Sequence, residues 1–226
     1  VDALEGRGWV KFNMLHDTRG AIADFTKAID TGRAPPMTYV NRAMAREDEG
    51  DHDGALADLD HALALNPNSV AYDTRARIHE DRGELALALA DYDRALEIDE
   101  LGHTLHSRAL LKGKLRDVPG ARADLQRSVE LEPDNPMAWV NLGNLCQEDG
   151  DHRAADRAYT RAIEKRRSDH LAWLNRGNGR VRLGELNDAL ADLDRAVELG
   201  PQDPRTWFSR GIARDQARDF GGAASD

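Results

Sequence analysis

The stretch ALADLDRAVELGP, residues 189–201, recurs with substitutions as ALADLDHALALNP at 55–67, ALADYDRALEIDE at 88–100 and ARADLQRSVELEP at 121–133. Its leading alanine belongs to a series, Ala21, Ala55, Ala88, Ala121, Ala155, Ala189 and Ala223, with successive spacings of 34, 33, 33, 34, 34 and 34 residues. A fixed period of this length predicts stacked repeats of one small unit. A second small residue follows seven positions later, at Ala28, Ala62, Ala95, Ser128, Ala162 and Ala196. Seven residues is close to two helical turns, so both small side chains share one helix face and let a neighbouring helix approach closely.

Each of these helices is preceded by another helical stretch and a turn marked by glycine or aspartate: EDEGDHDGA (47–55), EDRGELALA (80–88), QEDGDHRAA (147–155) and VRLGELNDA (181–189). The units are joined by proline-bearing or acidic links such as LNPNS, LEPDNP and LGPQDP, and proline is suited to stopping one helix and opening the next. Each unit is therefore helix, tight turn, helix. Composition agrees, since the 226 residues are 40% hydrophobic and 32% charged, too polar for one thick core. Alanine, leucine, arginine and the acids dominate and β-branched residues are sparse, so local propensity favours helix throughout.

Composition also bounds function. A formal charge of −10 argues against generic nucleic-acid binding, which needs a basic footprint. No apolar run is long enough for a membrane span, no signal peptide opens the chain, and a lone cysteine cannot close an internal disulfide. A cytoplasmic setting is the expectation. The start at Val1 and the stop at Asp226 in mid-pattern lead us to expect a segment of a longer protein.

The unit resembles the tetratricopeptide repeat, whose signature places Trp, Leu, Gly and Tyr in the first helix and Ala, an aromatic and Pro in the second. Residues 136–169 carry Trp139, Leu142, Gly143, Ala155, Tyr159 and Ala162 at matching places. On this resemblance the chain is a single array over 1–226: a divergent first repeat at 1–35, repeats at 36–68, 69–101, 102–135, 136–169 and 170–203, and a truncated last one at 204–226. The resemblance implies an all-α, right-handed α-solenoid of stacked antiparallel helix pairs, with first helices lining a concave groove. Departures are local: Glu100 and Arg167 stand where the family has proline.

At the seventh place the family usually has leucine, but this chain has Arg42, Arg75, Arg108, Leu142, Arg176 and Arg210. The recurring aspartate stands at the twenty-third place, as Asp58, Asp91, Asp124, Ala158, Asp192 and Asp226. The one unit without the arginine also lacks the aspartate. This match predicts an ion pair between the two helices of the same unit, with Arg7 and Asp24 as the first-unit equivalents, and assigns the series a structural role.

By the resemblance, ligands meet the second, fifth, sixth, ninth, twelfth and thirteenth places. The candidate groove residues are Asn41, Asn141, Asn144, Asn175, Asn178, Arg182 and Arg205. A side-chain amide carries both donor and acceptor, so a ladder of asparagines reads the backbone of a peptide whatever its sequence. A clamp for a C-terminal carboxylate is less well supported, because Val140 and Ser209 replace two of its cations. Glu47, Asp48, Asp73, Glu80 and Asp81 load the early units with negative charge, whereas Lys114, Arg182 and Arg205 make the later ones mixed; a partner with a basic end is expected to direct it toward the first units.

Other residues read as structural. His103 and His106 share a helix face, but a structural zinc site needs four ligands and none of the remaining candidates has the spacing, so no metal or cofactor is expected. Cys146 reads as a small core residue, Trp139, Trp173 and Trp207 as packing between units, and Gly177 as a site of close helix approach. RGNGRVRLG (176–184) lacks both the preceding strand and the third glycine of a phosphate loop. The expected function is a non-catalytic scaffold binding a peptide or helix. Its rivals are a regulatory or substrate-recruiting arm of a larger enzyme and self-association through the apolar Trp207, Phe208 and Phe220.

Overall fold

The computed structural model describes residues 1–226 and contains fourteen helices and no strand. They are α1 (Asp2–Asn13), α2 (Thr18–Ile29), α3 (Pro36–Asp48), α4 (His52–Leu65), α5 (Ser69–Asp81), α6 (Leu85–Ile98), α7 (Gly102–Lys114), α8 (Val118–Leu131), α9 (Pro136–Glu148), α10 (His152–Lys165), α11 (His170–Leu183), α12 (Leu186–Leu199), α13 (Pro204–Gln216) and α14 (Phe220–Ser225). None is long and apolar enough to cross a membrane.

The chain divides into two compact bodies, Val1–Leu111 and Lys112–Asp226. In the first, α1 packs on α2, α3 on α4 and α5 on α6, while α2 also packs on α3 and α4 on α5. In the second, α9 packs on α10, α11 on α12 and α13 on α14, and the second helix of each pair packs on the first helix of the next. First helices also touch one another, α1 with α3 and α3 with α5 in the first body, α9 with α11 and α11 with α13 in the second.

Short sequence signals set these boundaries. Asp17, Asp51, Asp117, Asp151 and Asp219 each accept a hydrogen bond from the backbone N–H three residues on, which caps the second helix of the pair. Asn135, Asp169 and Asp203 cap first helices by accepting from the backbone N–H two residues on, Asn135 and Asp169 from the third as well. The turn inside a pair needs one left-handed residue, supplied by Gly50, Gly83, Gly150 and Gly184 at φ between 75° and 80°. In three units that place holds His16, Arg116 or Arg218, at φ 51°, 65° and 64°. The turn is thus marked by glycine in four units and by aspartate alone, at Asp17, Asp117 and Asp219, in the other three, where a side-chain-bearing residue takes the left-handed conformation.

Each core is built on the twenty-fourth place, where Phe25, Leu59, Tyr92, Tyr159 and Leu193 are buried almost completely. The facing eighth place is small because the helices touch there. A Cβ added to Gly8 would stand 2.8 Å from the Phe25 ring, one at Gly143 2.5 Å from Tyr159, and one at Gly177 2.8 Å from Leu193. The indole N–H groups of Trp139, Trp173 and Trp207 donate to the carbonyls of Pro133, Arg167 and Pro201, six residues back, at 2.9, 2.9 and 3.0 Å. These tryptophans thus fasten the link between units to the first helix.

Candidate functional site

The arginine and aspartate series forms intra-unit braces. Arg7, Arg42, Arg75, Arg176 and Arg210 each donate from Nε and Nη2 to the two oxygens of Asp24, Asp58, Asp91, Asp192 and Asp226, at 2.5 to 2.9 Å. Such two-pronged pairing is the strong, geometrically specific form of an ion pair. Arg7's hydrogen bond holds the Asp24 carboxyl well below the usual carboxylate range, and Arg210 lowers Asp226 for the same reason.

Two members of this network escape a reading based on pairs. The first is a second cation at the eleventh place: Lys11, Arg46, Lys112, Arg180 and Arg214 reach the twenty-third-place aspartates of their own units, Asp24, Asp58, Asp124, Asp192 and Asp226, at 2.8 to 3.0 Å. His79 holds that place in its unit, with Nε2 at 3.9 Å from Asp91. The unit with Leu142 and Ala158 has Cys146 there, so the covariation visible in the sequence covers three places. The second is an acceptor in the preceding unit, to which Nη1 of the brace arginine donates: Thr26, Asp60, Asp93, Thr160 and Asp194 receive Arg42, Arg75, Arg108, Arg176 and Arg210 at 2.6 to 3.1 Å. Arg75, Arg176 and Arg210 also lie over the rings of Tyr72, Trp173 and Trp207, at 5.5, 4.9 and 4.7 Å.

Of the groove candidates, Asn144 on α9 and Asn175 on α11 come together. Asn175 Nδ2 donates to Asn144 Oδ1 at 3.0 Å, and the Tyr159 hydroxyl donates to the same oxygen at 2.8 Å. Both asparagines are half-buried, as are Asn41, Asn141 and Asn178 on their first helices. Burial on the aromatic side pushes the Tyr159 hydroxyl above its ordinary pKa, which keeps it a donor. Arg182 is exposed near the end of α11. Arg205 is exposed too, but it folds back on the capping Asp203, with Nη2 at 2.6 Å from Oδ2.

In the first body, a recess of about 350 Å³ is lined by Glu47, Arg77, Glu80, Asp81, Tyr92, Ser107 and Leu110. Arg77 donates to Glu47 at 2.7 Å, and burial nonetheless raises the Glu47 pKa. Tyr92 donates to Glu80 at 3.2 Å, and Thr104 to Asp73 at 2.8 Å. Part of the acidic surface is therefore engaged within the chain.

Cys146 is buried on α9, where burial pushes its thiol pKa up and Arg122 Nη2 points at Sγ from 3.4 Å. No three His, Cys, Asp or Glu side chains converge in a geometry that holds a metal ion.

Comparison with known proteins places this geometry. The profile of the tetratricopeptide repeat matches residues 40–102, 147–204 and 174–226, and a second profile of the same description matches 125–157. No curated protein matches the sequence. Among solved structures the chain is similar to YrrB, described as a TPR protein with an unusual peptide-binding site: TM-score 0.69, 24% identity, covering 80% of this chain and 95% of that one. It is also similar to the C-terminal part of a TPR repeat-containing protein from Cytophaga hutchinsonii, with TM-score 0.77, 15% identity and coverage of 96% and 90%. The structure of MamA superposes with TM-score 0.65 at 20% identity, covering 71% and 95%. The profile matches take in more than half of the residues, and the helix pairs have the family's architecture: the chain belongs to the tetratricopeptide repeat family.

Proposed function

We propose that this chain is a non-catalytic interaction scaffold that binds a peptide or protein helix on the face formed by its first helices. The observation that carries the reading is the pairing of Asn144 with Asn175. Their mutual hydrogen bond uses Asn144 Oδ1 and Asn175 Nδ2, and leaves the Asn144 amide N–H groups and Asn175 Oδ1 without partners in the chain. A donor and an acceptor held side by side on adjacent helices match the C=O and N–H of a peptide backbone. The neighbouring Tyr159 fixes the amide orientation, so little side-chain entropy is lost on binding. YrrB is described as peptide-binding, which agrees with this reading.

A partner carrying basic residues fits best, because α3 and α5 carry Glu47, Asp48, Asp73, Glu80 and Asp81, whereas three of their four arginines, Arg42, Arg46 and Arg75, are committed to the aspartates of the second helices. The test is binding to a peptide library, beside a variant carrying Asn144→Ala and Asn175→Ala. Retained melting temperature with lost binding supports the reading; equal binding by the variant removes it. Salt should weaken the bound peptides, and less so in Glu47→Gln with Glu80→Gln.

A second reading, self-association, is favoured by Phe208 and Phe220, which are 71% and 64% exposed. Trp207, Phe208, Gly211 and Ile212 line an open recess of about 460 Å³ beside them. Light scattering against concentration, with Phe208→Ser as control, separates this from a monomeric receptor.

A further inference from the structure

Three clefts open at the same place in the repeat, beside the fourth-place aromatic ring. Those at Tyr72 and at Trp173 measure about 440 and 370 Å³, and each is lined by its brace arginine, Arg75 or Arg176. The one at Trp139 measures about 640 Å³. It is larger because the charged triple of the other units is replaced there by Leu142, Cys146 and Ala158, which are shorter and neutral. The result is a depression between α8, α9 and α10 with an aromatic wall and an apolar floor. Its size lies in the range of small-molecule sites.

The charges on its rim are nearly all satisfied internally. Arg122 donates to Asp149 and Asp151 at 3.1 and 3.3 Å, Arg180 holds Asp156 at 2.8 Å, and Arg161 pairs with Glu164 at 3.0 Å. Arg157 is exposed and makes no hydrogen bond or ion pair within the chain. The Trp139 N–H is already committed to the Pro133 carbonyl, so the indole offers a ligand its π face and no donor. A guanidinium or ammonium ligand would find no free carboxylate in the cleft. An apolar ring with one negative charge would find both of its complements.

We propose that this cleft binds a small aromatic carboxylate, with its ring against Trp139, Leu142 and Ala158 and its carboxylate toward Arg157. The site is separate from the asparagine pair and does not depend on peptide binding there.

Phenylacetate and indole-3-acetate are the probes, measured by saturation-transfer NMR with 2-phenylethanol as the neutral control. Leu142→Arg with Ala158→Asp installs the pair that other repeats carry, and should weaken the acids by about tenfold or more by filling the floor. Arg157→Ala alters only an exposed side chain and should weaken them by about fivefold, toward the level of the neutral control. No saturation transfer to either acid, binding unchanged in the filled variant, or binding of 2-phenylethanol as strong as that of the acids would overturn the proposal. A circular dichroism melt of each variant shows that lost binding is not lost folding.

Discussion

Asp192 is gripped from two successive turns of α11: Arg176 donates from Nε and Nη2 at 2.9 and 2.7 Å, and Arg180 adds Nη1 at 3.0 Å. The Asp192 side chain is only 3% exposed, so removing one partner strands charge where water cannot reach it. Arg176→Leu should cost about 3 kcal/mol in urea melts, the lower end for a broken buried pair because Arg180 remains. Combining it with Asp192→Ala should recover most of that loss, and a double variant as unstable as the single one would refute the pairing energetics.

The braces predict acid sensitivity. Asp24 and Asp226 have pKa values depressed by their hydrogen bonds to Arg7 and Arg210. A carboxylate whose folded pKa lies below its unfolded value of about 3.9 stabilises the fold fully above that pH, and the contribution is lost as pH falls below it. Melting temperature should therefore hold from neutrality to about pH 5 and then decline. In Asp24→Asn the decline should be shallower and should start from a lower plateau.

Close approach at the eighth place predicts the effect of one methyl group. In Gly177→Ala the new Cβ would stand 2.8 Å from Leu193 Cγ and 3.3 Å from the Ala189 carbonyl oxygen. Neither can retreat without moving α12, so the substitution should destabilise by about 1 to 3 kcal/mol despite alanine's better helix propensity. An unchanged denaturation midpoint would show that the helices have room to separate.

Turn geometry predicts a stabilising change. Arg116 sits at φ 65°, a conformation that costs a side-chain-bearing residue about 1 to 2 kcal/mol. Glycine removes that strain but adds freedom to the unfolded chain, so Arg116→Gly should gain about 0.5 kcal/mol. The same change at Gly150 in reverse, Gly150→Arg, should be destabilising, and both are read from thermal melts.

The helix pairs were legible because every unit repeats the same small residues at fixed spacing, and the Arg176 and Asp192 pairing because both are absent together from the unit with Leu142 and Ala158. The eleventh-place cation was equally visible, as Lys11, Arg46, Lys112, Arg180 and Arg214, yet comparison with the family's usual tyrosine there draws attention to aromatic replacement instead of charge. The Asn144 and Asn175 contact was not legible. Sequence places both on first helices, but whether two amides meet or stay apart depends on helix separation and rotamers. Arg205 shows the same limit, since its turn back to Asp203 is a local choice of side-chain geometry. The left-handed Arg116 was hidden because backbone hydrogen bonding around the turn overrides its residue preference.

The third nitrogen of each brace arginine has a consequence for how the array comes apart. Where Arg176 reaches Thr160, or Arg210 reaches Asp194, opening one repeat must also break a bond to its predecessor, so adjacent pairs melt together. Leu142 offers no such staple to α8. At that interface the tie runs the other way, from Arg122 on α8 to Cys146 on α9 and to Asp149 and Asp151 just beyond it, and because this guanidinium is partly in water, opening the seam there extracts no buried aspartate.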